Sequence, residues 1–413
     1  MSGESAGHST LILAIFAVTY LGIAVGHLPG LKVNRAGIAL LGAIAMTIFA
    51  GVTTAEAVRF INWPTIFLLF GFFVLSAQLR LSGFFDRVAG NVAARLGHPA
   101  RFLFELMVVA AGLSAVLNHD IICFVFTPVV AAALVRRRIN PVPFLIALAI
   151  ASNIGAAATP VGNPQDMLIA QVARLDFGRY LLWAVAPTVF ALGAAYAIIW
   201  LLSKDSLQPA GTQTGVTPAH RPFDRGHTVK GLVILAIVVA LFFTSLPKEV
   251  VALAAAGIHI ASRKFRTEDL LGRVDWSILV LFMGLFVIAG AFQSTGYGEQ
   301  AVRWLAERGV DLHALPVLAA VAAALSNLFG NSTAVMLLLN VVDLAHPATA
   351  YTLALANSFG GSLLIVGSVS NIIVVQQARA AGIDISLRDF ARLGVPVTLA
   401  AIGGLIAWTT LPG

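Results

Sequence analysis

The chain has 413 residues, of which 59% are hydrophobic and only 11% charged, and its mean hydropathy is +0.90. Soluble domains carry about a quarter charged residues, so this composition excludes a soluble globular protein. Hydrocarbon offers no partner for backbone N–H and C=O groups, and repeated apolar runs of roughly 20 residues favour helices over a barrel. The sequence therefore predicts an all-α polytopic membrane protein.

The formal net charge of +7 would also suit a nucleic-acid-binding protein. The basic residues, however, are spread singly along the short loops between apolar runs. This distribution is typical of membrane topology signals, so no nucleic-acid partner is expected. The first ten residues, MSGESAGHST, lack the basic region of a signal peptide, and the run that follows them is predicted to be a retained span.

Ten apolar runs are predicted to be transmembrane helices. In chain order they cover about residues 10–30, 36–53, 62–80, 142–175, 178–203, 230–246, 249–264, 274–295, 349–378 and 391–410. Two further stretches, 101–135 and 313–342, are each broken near the middle by polar residues, LNHD at 117–120 and GNS at 330–332. Either half is short for a full crossing, so both stretches are predicted to be re-entrant hairpins with their tips at membrane depth.

Basic residues divide unevenly between the two sides of this topology. Twenty of the 26 lysines and arginines fall on one side and six on the other. Because cytoplasmic loops are enriched in Lys and Arg, the richer side is predicted to be cytoplasmic, with both termini on the outer side of the inner membrane. Counting the hairpins as full crossings gives the same orientation, so the charge count does not test whether they re-enter.

An internal repeat relates the two halves of the chain. INWPTIFLLFGFFVLSAQLRLSG, which starts at Ile61, resembles VDWSILVLFMGLFVIAGAFQSTG. Within them Trp63 and Trp276, like Gly71 and Gly284, are 213 residues apart. Five spans separate equivalent points, and an odd number inverts the second copy. Inverted repeats with paired broken helices are typical of secondary transporters, in which one half rocks against the other.

The repeat sets the predicted domain boundaries. The N-terminal half covers residues 1–203, the C-terminal half covers 229–413, and the polar segment 204–228, rich in Pro, Gly and Thr, is predicted to be a cytoplasmic linker. Segments 81–97 and 297–309 mix charged and apolar residues after equivalent spans. Both are predicted to be amphipathic helices at the membrane surface.

Two spans, 142–175 and 349–378, exceed the roughly 20 residues of a crossing and contain polar, glycine-rich interruptions. In TPVGNPQD, which begins at Thr159, two prolines remove backbone donors and a glycine permits unusual backbone angles. IVGSVSN, which begins at Ile365, takes the equivalent place in the second half. The alternative is a proline kink satisfied by neighbouring hydroxyls, but the recurrence in both halves favours two broken helices.

Polar residues at the two tips and the two breaks form four clusters that we expect to converge near the membrane centre. The predicted substrate-binding residues are all uncharged: Asn118, Asn153, Thr159, Asn163, Asn327, Asn331, Ser332, Asn357, Ser368, Ser370 and Asn371. Asp120 and Asp166 are predicted to carry the coupled proton, because a carboxylate at this depth is costly and commonly serves a proton or cation. His119 could titrate near neutrality beside Asp120. The alternatives are a hydrogen-bonded structural role for each acid and a solvent-facing position for the histidine.

Other classes of site find little support. No lysine or arginine falls in the four clusters, so a neutral polyhydroxyl substrate or a cation fits more easily than a strongly anionic one. The single cysteine, Cys123, excludes an internal disulfide and a cysteine-based metal cluster, and no metal site is predicted. No His-Glu-x-x-His motif occurs, so an intramembrane enzyme is not expected.

Two stretches carry a resemblance to a known family. LNHDIICFVFTPVV (117–130) and LSNLFGNSTAVMLLL (325–339) resemble the two hairpin tips of the ion transporter superfamily, and most closely those of ArsB-type arsenite efflux permeases. The superfamily also includes NhaD-type sodium/proton antiporters and sodium/dicarboxylate symporters. Two departures occur: His119 separates the tip asparagine from the aspartate, and TPVGNPQDMLI is closer to the anion-transporting branch.

The resemblance implies export of arsenite or antimonite, as the neutral trihydroxide, in exchange for protons. It implies Asn118 and Asp120 as site residues of the first tip, and Asn327 and Asn331 as those of the second. A sodium-coupled transporter of the same superfamily is the alternative. No cofactor is expected besides a proton or sodium gradient as the driving force, and an arsenite-stimulated ATPase and a second copy of the chain stay open as partners.

Overall fold

The computed structural model describes residues 2–25, 32–96, 98–204, 223–261 and 264–411. These residues form twenty α-helices and one 3₁₀ turn, and the described ranges contain no β-strand. Five of the helices are long and apolar enough to cross a membrane. The prediction of an all-α polytopic membrane protein is therefore confirmed.

Ten helices lie before the 204–228 segment. They are α1 (Ser2–Val25), α2 (Arg35–Phe49), α3 (Thr54–Phe60), α4 (Trp63–Leu81), α5 (Phe84–Ala94), α6 (Pro99–Ser114), α7 (His119–Arg136), α8 (Val142–Ala156), α9 (Pro164–Val172) and α10 (Phe177–Ser203). Most of the predicted linker, residues 205–222, lies outside the described residues.

Ten helices also follow it. They are α11 (Arg225–Leu241), α12 (Lys248–Ile260), α13 (Thr267–Leu271), α14 (Trp276–Gln293), α15 (Tyr297–Ala306), α16 (Leu315–Phe329), α17 (Asn331–Leu339), α18 (Pro347–Gly360), α19 (Val369–Ala380) and α20 (Leu387–Thr409), with the 3₁₀ turn at Ile365–Gly367 before α19. Helix α11 begins four residues before the predicted end of the linker, capped by Asp224, whose side chain accepts from the His227 N–H.

The surface and the interior have opposite polarity to a soluble protein. Large apolar side chains on the long helices α10 and α20 face outward, including Leu182 (80% exposed) and Leu399 (65%). Asparagines, serines and two aspartates lie in the interior, where α8 is buried along nearly its whole length. Since an apolar exterior is stable against lipid and costly in water, this polarity agrees with a membrane environment.

Two helix pairs bring the halves together through close backbone contacts. A Cβ added to Gly71 of α4 would lie 2.6 Å from the backbone of Ala252 of α12. A Cβ added to Gly284 of α14 would lie 2.8 Å from the backbone of Ala39 of α2. Both members of the second pair are 213 residues from their counterparts, so one contact occurs twice with the halves exchanged. Small residues allow helices in lipid to approach this closely.

The starts of α4 and α14 are also built alike. Trp63 donates its indole N–H to the carbonyl of Val58 at 3.2 Å, and Trp276 donates to that of Leu271 at 2.9 Å. The preceding residue caps each helix: Asn62 accepts from the Thr65 N–H and Asp275 from the Ile278 N–H. The local chemistry of the repeat therefore extends beyond the aligned letters to hydrogen bonds.

The two stretches predicted as hairpins are helix–turn–helix units. The first consists of α6 and α7, and the second of α16 and α17, separated by Gly330 alone. Helix α7 has 18 apolar residues and is long enough to cross a membrane alone. The expectation that either half is short is therefore wrong for α7, because the arm continues to Arg136 through Pro128 without ending.

Candidate functional site

Both predicted helix interruptions occur in the structure. The first break comprises residues 157–163, between α8 and α9, and the second break residues 361–368, between α18 and α19. Asn163 caps α9 by accepting a hydrogen bond from the Asp166 N–H at 2.7 Å. Ser368 occupies the corresponding cap of α19. Each break thus presents a half-helix N-terminus, whose free N–H groups favour acceptors and negative charge.

Asn153 of α8 joins its own half to the second break. Its side-chain oxygen accepts hydrogen bonds from Ser368 Oγ at 2.9 Å and Ser370 Oγ at 3.0 Å. Its side-chain Nδ2 donates to Oδ1 of Asn371 at 2.9 Å. All four side chains are buried, so three hydrogen bonds hold the end of α8 against the start of α19.

Ser358 of α18 makes the reciprocal connection to the first break. Asn163 Nδ2 donates to Ser358 Oγ at 3.0 Å and to Asp166 Oδ2 at 2.6 Å, and Ser358 Oγ lies 3.3 Å from Asp166 Oδ2. Ser358 is 205 residues after Asn153, and the same offset relates Asp166 to Asn371. The two crossings are therefore alike except that one holds a carboxyl group where the other holds an amide.

The tips are tied to the breaks. The first tip, residues 115–120, accepts a hydrogen bond from Thr159 Oγ1 at the carbonyl of Ala115. The second tip, residues 327–333, is joined to α9 through Gln165 Nε2 and Ser332 Oγ at 2.7 Å. Asn327 Nδ2 also donates to the carbonyl of Gly360 at 2.7 Å. Hydrogen bonds therefore link both tips and both breaks into one interior unit.

At the first tip, Asn118 caps α7 by accepting from the Asp120 N–H at 2.9 Å. His119 Nε2 lies 3.5 Å from Asp120 Oδ1, a distance that allows an ion pair without hydrogen-bond geometry. Both side chains are buried, which disagrees with a solvent-facing histidine. Asp120 and Asn118 line a cavity of about 540 Å³, bounded also by Arg80 and by the start of α14.

Several buried polar atoms in the described part of the interior have no hydrogen-bond partner. They are Asp120 Oδ1, Asp166 Oδ1, Asn327 Oδ1, Asn331 Oδ1 and both side-chain polar atoms of Asn357. Leaving such an atom unpaired costs about 1–3 kcal/mol. Buried atoms of this kind, concentrated at two tips and two breaks, are suited to receive a polar ligand.

The fourteen predicted site residues lie in or beside this interior unit. Twelve are buried, and Asn327 and Ser332 are half-buried. Thirteen sit at a tip, at a break or in the crossing network, whereas Asn357 lies one residue before Ser358 without a side-chain hydrogen bond. Asp120 makes no described hydrogen bond to the other three clusters, so the first tip joins them through its backbone and packing.

The sequence interpretation missed the charged lining of the cavity. Arg80, Arg273 and Asp275 face the same space as Asp120. At the second tip, the guanidinium of Arg35 lies 3.1 Å from the place of a Cβ on Gly330. A signal was present for one of these residues, because Asp275 is 213 residues after Asn62 and replaces its neutral amide by an acid.

Comparison with known proteins assigns the family. A sequence model of the citrate transporter family CitMHS matches residues 11–357. The chain belongs to the CitMHS citrate transporter family. It is therefore a multi-pass membrane transporter, as the apolar helices and the polar interior indicate.

Relatives of this CitMHS chain extend over its full length. An uncharacterized transporter of Mycobacterium tuberculosis is 30% identical, with 94% of this chain and 96% of the relative aligned. The silicon efflux transporter LSI3 of Oryza sativa subsp. japonica is 27% identical over 94% of this chain and 95% of its own. The crystal structure of the YdaH transporter of Alcanivorax borkumensis covers 97% of both chains with a TM-score of 0.59 and 13% identity, which shows a shared fold.

Proposed function

We propose that the protein is a proton-coupled antiporter that exports a small uncharged hydroxide, with the trihydroxides of arsenite and antimonite as its cargo. The observation that carries this proposal is the composition of the crossing network, in which Asn153, Asn163, Ser358, Ser368 and Asn371 supply amides and hydroxyls. Such groups both donate to and accept from hydroxyl groups. The likeness to a silicon efflux transporter supports an uncharged hydroxide as cargo.

Asp120 is the proposed coupling residue. Its Oδ1 has no hydrogen-bond partner, and the side chain borders the 540 Å³ cavity, so a proton can reach it. Asp166 is enclosed by Asn163 and Ser358, which suits an assisting role, as does His119 beside Asp120. As a carboxylate, Asp120 accepts hydrogen bonds from a hydroxide cargo, and protonation removes that acceptor. Proton uptake and cargo binding then compete, as antiport requires.

The proposed transport cycle uses two inverted repeats, residues 1–203 and 229–413, and two re-entrant hairpins. The exchanged pairs Gly71–Ala252 and Gly284–Ala39 support the repeat, and so does the twofold crossing of the breaks. Two similar halves around a central site can rock between two arrangements that expose it to either side. With the basic side cytoplasmic and both termini outside, the cavity beside Asp120 opens to the cytoplasm.

A sodium-coupled carboxylate transporter is the second candidate. Arg80 and Arg273 line the cavity beside Asp120, and guanidinium groups bind carboxylates well. The description of the family as citrate transporters points the same way. The amide and hydroxyl network behind the cavity contains no described lysine or arginine, which favours the uncharged cargo for the inner site.

Purified protein in vesicles separates these candidates. Arsenite, silicic acid or citrate is placed inside, and efflux is measured under an imposed proton or sodium gradient. We expect saturable efflux of arsenite or silicic acid driven by the proton gradient alone. Flux of citrate only, or flux that responds to sodium only, would replace the proposal by the second candidate, and linear non-saturating flux would indicate a channel.

A further inference from the structure

The cavity beside the first tip contains two carboxyl groups from distant parts of the chain. Asp120 comes from the first turn of α7 and Asp275 from the cap of α14, and both line the same space of about 540 Å³. A water molecule occupies about 30 Å³ in the liquid, so the space is large enough for a chain of several waters. The two groups are close enough for their charges to repel each other.

The capping role of Asp275 does not require its charge. Asp275 accepts a hydrogen bond from the Ile278 N–H at 3.1 Å and thereby starts α14. Asn62, at the equivalent position of α4, accepts from the Thr65 N–H at 3.0 Å with a neutral amide. Asn and Asp cap helices about equally well, so the local structure is met by either residue. The acid at position 275 is therefore an addition to the cap.

The position of Asp275 suits exchange with the outside. Asp120 is 6% exposed, whereas Asp275 is half-buried at the end of the molecule where α4 ends and α14 begins, which we call the α14 face. Other charged or titratable groups around the space are Arg80 from α4, Arg273 from the loop before α14, and His119 next to Asp120. A path from the α14 face to Asp120 thus passes Asp275.

We propose that Asp275 is the outer member of a two-carboxyl relay that carries protons between the α14 face and Asp120. In the inward direction, the Asp275 carboxylate takes a proton from the α14 face and passes it through water to the Asp120 carboxylate, which returns Asp275 to its ionised form. The reverse sequence releases the proton. Chains of acidic groups serve this purpose in other pumps and transporters. The inference rests on the proposed role of Asp120 in coupling.

The test is the variant Asp275→Asn, which keeps the cap and removes the carboxyl group. Vesicles are loaded with arsenite and with pyranine, a trapped pH indicator, so that net cargo efflux and proton uptake are both recorded between pH 5.5 and 8.5. Arsenite exchange at equal concentrations on both sides, which needs no net proton transfer, is the second readout. The reciprocal variant Asn62→Asp, which adds a carboxyl group to the other cap, is the matched control.

We expect Asp275→Asn to lower net proton-coupled efflux several-fold and to change its pH profile, while arsenite exchange and the Asn62→Asp control keep wild-type rates. A wild-type pH profile of net efflux would overturn the relay, and so would an equal loss of efflux and exchange, because that pattern indicates a structural role. Asp120→Asn is measured alongside. If it retains full coupled efflux, the proposed function fails; if it loses coupling while Asp275→Asn does not, only the relay fails.

Discussion

Asn153 Nδ2 donates a hydrogen bond to Asn371 Oδ1 at 2.9 Å and so connects a helix of the first half to a helix of the second. The direction of this bond is fixed, because Asn371 Nδ2 already donates to the carbonyls of Gly361 and Leu364 at 2.7 and 2.9 Å. Asn371 must therefore accept from position 153. The contact places a defined donor at the junction of the two breaks.

Replacing Asn153 by Asp tests that assignment. The change preserves the size of the side chain but sets two oxygens against each other at Asn371, which we expect to cost about 1–3 kcal/mol of stability and to lower transport. Thermal unfolding in detergent measures the first effect and vesicle efflux the second. Asn140→Asp is the control, because exposed Asn140 acts through its oxygen as an acceptor for the Val142 N–H and Asp keeps that oxygen. Equal stability of both variants would contradict the assigned direction.

The glycine contact between α4 and α12 gives a second prediction. A Cβ on Gly71 would lie 2.6 Å from the backbone of Ala252, so Gly71→Ala should force the helices apart and destabilise the protein by about 1–3 kcal/mol. Gly257→Ala on α12 meets no atom within 4 Å and should be neutral or stabilising by about 0.4–1 kcal/mol. Unfolding temperatures compare the two, and a Gly71→Ala variant as stable as Gly257→Ala would refute the close packing.

The start of α11 should be sensitive to acid. The Lys264 ammonium, the His227 N–H and the His227 ring hold the pKa of Asp224 well below its usual range. A lowered pKa in the folded state means that the stabilisation is complete above the unfolded pKa, about 4, and is lost as the pH falls from there toward the folded value.

The variant Asp224→Ala removes this cap and its charge. We expect a loss of about 1 kcal/mol at pH 7, as for other N-caps, with the gap to wild type narrowing below pH 4. Asp224→Asn keeps an acceptor for the His227 N–H and should lie between the two. Unfolding followed from pH 7 to pH 3 provides the measurement, and a gap that widens with acid would show the sign to be wrong.

Cys123 allows the orientation to be tested without background. It is the single cysteine of the chain and is fully buried, so a membrane-impermeant maleimide should not label the wild type. Exposed Thr267 lies on the predicted cytoplasmic side and exposed Ser245 on the outer side. In intact cells Ser245→Cys should label and Thr267→Cys should label only after lysis. The reverse result would invert the topology.

The sequence was sufficient to predict where the helices break, because proline and glycine act locally on the backbone. Pro164 opens α9 at its first turn, and Gly162 would place a Cβ 2.2 Å from the Ala156 carbonyl oxygen. Helix ends were predicted less well: α1 begins at Ser2 rather than near residue 10, because a helix can continue into water beyond its apolar run.

Long-range pairing could not be read from the sequence in the same way. The neighbourhood of Asp120 depends on how α7, α4 and α14 approach one another, so Arg80 and Arg273 entered the site only with the structure. The partner of Asn153 likewise depended on which half-helix crosses α8. Hydropathy identifies polar residues at membrane depth, but it does not say which of them meet.

Proton-driven arsenite efflux from vesicles that contain Asp120→Asn tests the central claim most directly. The exposed substitution Asp269→Asn on α13 controls for a change of charge elsewhere. If Asp120 carries the coupled proton, the Asp120→Asn protein is folded but gives no efflux in response to a proton gradient, while Asp269→Asn matches wild type. Efflux at the wild-type rate and with the wild-type pH dependence from Asp120→Asn would contradict the account.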